Sequence, residues 1–224
     1  LIAAKGRLST DETVGITRQV GSALSCMHSM GMLHLDVKPA NVMMADEKTA
    51  ILIDFGLSKQ YDQNGQPESS TTVGSGTPGY APIEQANHRE GKDFPVQMDV
   101  YALGATMLKM LTGQRPPEAS DILNFGFPKK EMKQKGVPQP IIGVVEKAMK
   151  PQRNHRFQTI EQMMTALDEA MDKVKENEEK QTRRAESEAT TVDSGSNKGK
   201  SKRKSNGTSK KANSTNNAST TNFA

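Results

Sequence analysis

An asparagine and an aspartate, Asn41 and Asp54, flank a pair of short apolar runs and are candidates for binding a divalent cation. The runs cover residues 42–44 and 51–53, and the polar residues between them predict a β-hairpin. Because the residues that flank a hairpin lie together at its open end, we expect Asn41 and Asp54 to face one another. An amide oxygen and a carboxylate are ligands that Mg²⁺ prefers, and water and phosphate can fill the remaining positions.

Two charged residues on the same loop suit proton removal and charge stabilisation. Asp36 lies five residues before Asn41, close enough to the predicted metal to accept the proton of a substrate hydroxyl as a general base. Lys38 follows two residues later, on the same side of an extended segment, where it can stabilise the negative charge that gathers on a transferred phosphoryl group. Either residue alone would say little about function. Asp36, Lys38 and Asn41, followed by Asp54 after the predicted hairpin, form an ordered set that is highly specific for this chemistry.

The sequence around these residues reads His-Leu-Asp-Val-Lys-Pro-Ala-Asn at 34–41 and Asp-Phe-Gly at 54–56. Both runs resemble motifs of protein kinases, namely the catalytic loop and the metal-binding motif. The resemblance covers about residues 1–173 and implies the large C-terminal lobe of that fold. It implies a serine/threonine protein kinase, which transfers the γ-phosphoryl group of ATP to protein hydroxyls with Mg²⁺ as cofactor.

The same resemblance implies roles for single residues. Lys38, Asn41 and Asp54 are expected to contact the nucleotide and its metal, and Met43 is expected to line the floor of the adenine pocket. Thr77, which precedes a proline, is expected to contact the catalytic Asp36 and Lys38. Thr77 and Lys38 together indicate a preference for serine and threonine over tyrosine.

Residues 76–84 resemble the end of a kinase activation segment, with Ala-Pro-Ile-Glu in place of the commoner Ala-Pro-Glu. The resemblance implies that Glu84 pairs with an arginine near the end of the lobe, and Arg156 is the candidate. Arg153 is the alternative, and both could instead be surface charges. A buried pair would fix the substrate platform, because losing one partner leaves an uncompensated charge.

Two further residues are expected to support the loop rather than to react. By resemblance, His34 packs beneath Phe55 and is not a general base. Asp99 resembles the acid at the start of a buried helix that accepts hydrogen bonds from the catalytic loop. Asp99 can equally be read as the N-cap of that helix, and both readings can hold at once.

Leu35 stands where most activatable kinases have an arginine that binds a phosphate on the activation loop. Leucine cannot make such a contact. We therefore predict that phosphorylation is not the main activating switch, whichever of the nearby hydroxyls carries it: Ser69, Ser70, Thr71, Thr72 or Ser75.

No stretch before Asp36 supplies a Gly-rich loop, a strand lysine and its positioning glutamate, which form the small lobe of a kinase. We therefore expect that lobe to lie upstream in the parent chain. Without it, this chain should bind ATP poorly and transfer phosphate very slowly. The sequence Tyr-Ala-Pro-Ile-Glu-Gln at 80–85 most resembles that of bacterial eukaryotic-like kinases.

The rest of the sequence predicts a mainly α fold with one small β-hairpin. A capping-box pattern at 9–12 begins an amphipathic helix that ends near Gly31, and apolar helices are predicted at 99–111, at 141–149 and from 159. These elements place the kinase lobe at 1–173, with a charged helical extension at 174–193 and a basic, low-complexity, disordered tail at 194–224.

The net charge of the predicted folded part differs from that of the tail. The net charge is +4, yet seven lysines and arginines follow Asp193, so the preceding residues carry +4 − 7, or −3. The basic tail leaves open a reading as a binder of anions or nucleic acid, although it has almost no aromatics and no specific nucleic acid is expected. A pseudokinase or scaffold is the other alternative, because such proteins keep the fold and lose the chemistry.

The single cysteine, Cys26, has no partner for a disulfide and reads as a buried helix residue. This cysteine usage suits a reducing compartment, and we expect a cytoplasmic protein. No apolar run approaches the roughly 18 residues that span a bilayer, so no membrane segment is expected in this chain.

Overall fold

The computed structural model describes residues 1–55, 59–60, 76–86 and 95–193. Within these ranges the protein is mainly helical with a small β-hairpin, as the sequence predicts, and with a second short antiparallel strand pair that the sequence analysis did not predict. The five hydroxyls considered for phosphorylation, at positions 69–72 and 75, lie outside the described residues, as do Gly56 of the Asp-Phe-Gly motif and the basic tail at 194–224. The helices are α1 (Ile2–Lys5), α2 (Thr10–Ser29), α3 (Ile83–Ala86), α4 (Gln97–Thr112), α5 (Ala119–Phe125), α6 (Lys129–Gln134), α7 (Gln139–Ala148) and α8 (Ile160–Asp193). The strands are β1 (Met32–Leu33), β2 (Val42–Met44), β3 (Ala50–Leu52) and β4 (Lys59–Gln60), and short 3₁₀ turns occur at Pro39–Asn41 and Arg153–His155.

The chain divides into two units, Leu1–Gln181 and Thr182–Ala224, and the core and the candidate site lie in the first. None of the helices in the described ranges combines the length and the apolar character needed to cross a membrane.

Helix α2 begins at the predicted capping box. The Ser9 hydroxyl accepts a hydrogen bond from the Glu12 backbone N–H, and the Glu12 carboxylate accepts one from the Ser9 backbone N–H. Glu12 also contacts the Lys5 ammonium, and these donors lower the pKa of Glu12 to about 2. The cap stabilises the first turn of α2, because it satisfies backbone donors that have no partner within the helix.

Helix α4 runs through the centre of the core, as its apolar sequence predicts. Fourteen of its residues are buried, and it packs against α2 on one side and α7 on another. Gly104 allows the close approach to α7, because a Cβ at this position would lie 2.7 Å from the Ala148 Cβ. The buried stripe of α8 completes the core with Ile160, Met163, Leu167 and Met171.

The predicted hairpin is present, with β3 starting one residue earlier than its apolar run. Strands β2 and β3 pair so that Met43 lies opposite Ile51. Gln19 of α2 fastens the returning strand, since its side chain accepts a hydrogen bond from the Ala50 N–H at 2.9 Å and donates one to the Lys48 carbonyl at 2.8 Å. The hairpin is therefore held on α2 by hydrogen bonds between the Gln19 side chain and the hairpin backbone, which no apolar pattern could reveal.

The prediction that Cys26 is buried is wrong, because the thiol is exposed. Helix α2 buries the face that carries Val20, Leu24 and Met27. Each residue of an α-helix is rotated by about 100° from the next, so the position just before Met27 points away from that face.

Alanine substitutions at two helical glycines, Gly104 and Gly143, test how closely α4 packs against α7. We expect Gly104→Ala to destabilise the protein by about 1–3 kcal/mol, because the added methyl group meets Ala148 in a filled core. Gly143→Ala in α7 is the matched control, since nothing lies within 4 Å of its added Cβ. The control should stabilise by about 0.5–1 kcal/mol through helix propensity alone. Urea unfolding measures both, and equal stability of the two variants would contradict the close α4–α7 contact.

Candidate active site

A buried carboxylate on α4 holds the loop that carries the predicted catalytic residues. Asp99 is 0% exposed, and its two oxygens accept hydrogen bonds from the backbone N–H groups of His34 at 2.9 Å and Leu35 at 2.8 Å. The alternative reading of Asp99 as an N-cap is wrong, because α4 begins two residues earlier and Val96 occupies the cap position. The carboxylate thus bonds to a distant loop rather than to the end of its own helix.

His28 also contacts Asp99, and the sequence analysis missed it. Its Nε2 lies 2.8 Å from Asp99 Oδ2, and its side chain is nearly buried at the end of α2. A signal was available, because position 28 lies one helical turn after the buried Leu24 and so faces the core. A polar side chain on a buried helix face needs a partner, and here the partner is a carboxylate.

Asp36, Lys38 and Thr77 form one hydrogen-bonded cluster. The Thr77 hydroxyl lies 2.7 Å from Asp36 Oδ1, and the Lys38 ammonium lies 2.7 Å from Asp36 Oδ2 and 2.9 Å from the Thr77 hydroxyl. Asp36 is largely buried, so a nearby cation and hydrogen-bond donors are what keep its charge compensated. The structure therefore brings Thr77 to the loop that carries Asp36 and Lys38, although Thr77 and Asp36 are 41 residues apart along the chain.

Asn41 fits a role as a metal ligand. Its side-chain N–H groups donate to the Asp36 carbonyl at 2.9 Å and to Asp36 Oδ2 at 3.0 Å, so the amide oxygen is directed away from these partners. The Ile53 N–H donates to the Asn41 carbonyl at 2.9 Å, which places the adjacent Asp54 at the same end of the hairpin. Carboxylate and amide oxygens in this arrangement suit Mg²⁺.

A metal bound by Asn41 and Asp54 would take its remaining ligands from water and phosphate. Within the described part of the chain, no group of three or more His, Cys, Asp or Glu side chains could hold a metal ion. Mg²⁺ usually keeps several waters and takes one or two protein oxygens together with substrate phosphates. The Asn41 and Asp54 pair is thus suited to a metal that arrives with a phosphorylated ligand.

His34 and Met43 are the other predicted site residues near the hairpin. His34 is buried, and its ring centroid lies 5.6 Å from that of Phe55 at a tilt of 57°. Its Nε2 lies 3.3 Å from the Ile53 carbonyl, so the ring is packed and hydrogen-bonded rather than poised to react. Met43 is 48% exposed and lies opposite the 41% exposed Ile51, giving the hairpin a small apolar face. The proposed adenine contact of Met43 stays a prediction.

Glu84 and Arg156 form a two-pronged ion pair. Arg156 Nη1 lies 2.5 Å from Glu84 Oε1, and Nη2 lies 3.1 Å from Oε2. The buried guanidinium also donates to three backbone carbonyls and lies 4.9 Å above the Tyr101 ring. The Tyr101 hydroxyl has a pKa above its usual value, mainly because the side chain is buried. Arg153 is exposed, so the pairing falls to Arg156.

A family model and the similar curated proteins indicate the same family for this chain. A family model described as protein kinase domain matches residues 1–177. The chain is 32% identical to the probable serine/threonine-protein kinase PknB of Lactococcus lactis over 165 residues, 70% of this chain and 26% of that protein. It is 28% identical to the serine/threonine-protein kinase PksC of Streptomyces coelicolor over 169 residues, 72% and 30% of the two chains.

A third relative is the serine/threonine-protein kinase PknB of Mycobacterium tuberculosis, 25% identical over 174 residues, 75% of this chain and 27% of that protein. The chain spans about a quarter of the length of the curated relatives it matches.

Substitutions of Arg156 and Arg153 test which of the two arginines forms the buried ion pair with Glu84. We expect Arg156→Met to lower the free energy of unfolding by about 3 kcal/mol, because Glu84 and several carbonyls lose their donor. Arg153→Met, the matched control in the same turn, should change it by less than about 0.5 kcal/mol. Chemical denaturation measures both, and equal losses would refute the assignment of the pair to Arg156.

Proposed function

This chain belongs to the protein kinase domain family, and we propose that the protein carrying it is a serine/threonine kinase. In this proposal it transfers the γ-phosphoryl group of ATP to serine or threonine hydroxyls of a protein substrate. The observation that carries the proposal is the cluster of Asp36, Lys38 and Thr77 beside Asn41. Four residue types with complementary roles meet there within hydrogen-bonding distance.

Asp36 is the proposed general base. Its Oδ1 already accepts a hydrogen bond from a hydroxyl, that of Thr77, and a substrate hydroxyl would bind to the carboxylate in the same way. Asn41 and Lys38 contact the other oxygen and orient the carboxylate. The base is therefore preorganised, because its rotamer is fixed before any substrate arrives.

Lys38 is the proposed electrostatic partner of the transferred group. Its ammonium lies within 2.9 Å of both the base and the Thr77 hydroxyl, so a cation is fixed where the phosphoryl group would pass. Asn41 and Asp54 would hold Mg²⁺, which when bound neutralises charge on the phosphates. Thr77 ties the substrate-binding segment to the catalytic loop, and its contact with Lys38 supports the proposed serine/threonine preference.

Nucleotide binding needs a second surface over the hairpin. Met43 and Ile51 offer one apolar face, and we propose that a small lobe encoded upstream covers it and supplies the remaining phosphate contacts. This chain alone is then expected to transfer phosphate very slowly. The protein substrate follows from the proposed kinase chemistry, and a cytoplasmic location also remains a proposal.

Phosphate transfer from radiolabelled ATP to a generic protein substrate tests the proposal, with the upstream residues restored. We expect Asp36→Asn and Asp54→Asn each to lower kcat by at least about 100-fold, because one removes the base and the other a metal ligand. Asp168→Asn is the matched control, since this carboxylate is exposed on α8 and pairs only with Arg18 among the contacts described. It should retain full activity.

A folded, ATP-binding protein that transfers no phosphate would overturn the proposal. That result would favour the pseudokinase or scaffold reading of the same fold.

A further inference from the structure

A buried glutamine outside the predicted constellation contacts the catalytic loop. Gln85 lies in the short helix α3, directly after Glu84, and its side chain is 2% exposed. Its Nε2 donates a hydrogen bond to the Leu35 carbonyl at 2.8 Å. A buried amide satisfied by a backbone carbonyl of another segment links the two segments, because separating them would leave both groups without partners.

The carbonyl that Gln85 binds belongs to a strained residue. Leu35 has a left-handed backbone with φ of +63°, which is unfavourable for a leucine. Its N–H is bound by Asp99, its carbonyl by Gln85, and its side chain is buried. Such a conformation persists only where the surroundings over-determine it. The next residue is Asp36, so the direction of its carboxylate depends on this strained peptide.

The segment that ends in α3 is shaped around the amide of Gln85. A Cβ at Gly76 would lie 2.8 Å from Gln85 Nε2 and 2.6 Å from the Ala81 Cβ, so no larger residue fits there without displacing them. Thr77 follows directly and binds Asp36. Residues 76–85 therefore contact the catalytic loop at the Leu35 carbonyl and, through Thr77, at the side chains of Asp36 and Lys38.

We infer that Gln85 is a positioning residue for phosphoryl transfer. Its amide holds the Leu35 carbonyl and so fixes Asp36 relative to the segment that presents the protein substrate. The inference rests on the proposed kinase function. Among its described contacts, Gln85 does not touch Lys38, Asn41 or Asp54, which are expected to contact the nucleotide and its metal, so its effect should fall on turnover rather than on ATP binding.

Two substitutions in the full-length protein test this role. Gln85→Met keeps the volume and removes the donor, and Gln85→Asn keeps the amide but shortens its reach by one methylene group. We expect each to lower kcat about tenfold, the effect of one lost buried hydrogen bond, while KM for ATP changes by less than about twofold. Ile142→Val in α7 is the control, because it removes a buried methylene group from the core without touching the loop.

Hydrogen exchange of the peptide that covers residues 34–38 gives a readout that does not need activity. Both Gln85 variants should exchange faster there than the unmodified protein, whereas Ile142→Val should exchange at the unmodified rate. Unchanged exchange in the Gln85 variants, or a kcat loss matched by Ile142→Val at equal thermal stability, would overturn the inference. So would unfolding of both variants below the assay temperature, since the role would then be structural.

These results separate the inference from the proposed function. An unmodified protein that transfers no phosphate refutes the kinase proposal, and with it the role of Gln85 in positioning Asp36 for phosphoryl transfer. The exchange experiment then still reports whether the side chain couples the two segments. Transfer by the unmodified protein together with unchanged Gln85 variants refutes only the inference.

Discussion

The site depends on one buried charge. Asp99 has no solvent exposure, and burying a carboxylate is strongly unfavourable unless it is surrounded by donors. The donors come from His28 and from two consecutive peptides of the catalytic loop. Satisfying this carboxylate requires those two N–H groups to point the same way, and the loop adopts the left-handed conformation at Leu35 that achieves it. The desolvated charge on the central helix thus sets the backbone from which Asp36 projects.

The loop is held from several directions, which explains why a stretch without regular structure can be precise. Helix α4 contributes a second contact, since the Thr106 hydroxyl donates to the Val37 carbonyl at 3.2 Å. The Asn41 side chain closes the loop on itself by donating to the Asp36 carbonyl. Thr77 and Gln85 bind it from the segment of residues 76–86. Each hydrogen bond so formed restricts the loop, so the side chains of Asp36 and Lys38 project from a rigid support.

The sequence allowed the large elements to be predicted because they follow local periodicity. The capping box of α2, the apolar run of α4 and the hairpin around Asn41 and Asp54 each depend on residues close together along the chain. The errors arose where burial is decided by orientation around a helix or by partners far away. Cys26 is exposed because of its angle on α2, and Asp99 bonds to a loop more than 60 residues distant instead of capping its helix.

By itself, the sequence determined which chemistry was available and the short-range geometry that orders Asp36, Lys38, Asn41 and Asp54, because loop and hairpin geometry follow from spacing. Only the tertiary structure decided that Arg156 rather than Arg153 binds Glu84, that His28 contacts Asp99, and that Gln85 binds the Leu35 carbonyl of the loop. The physical reason is that a hydrogen bond forms with whichever partner the packed core brings within about 3 Å, and sequence separation carries no information about that distance.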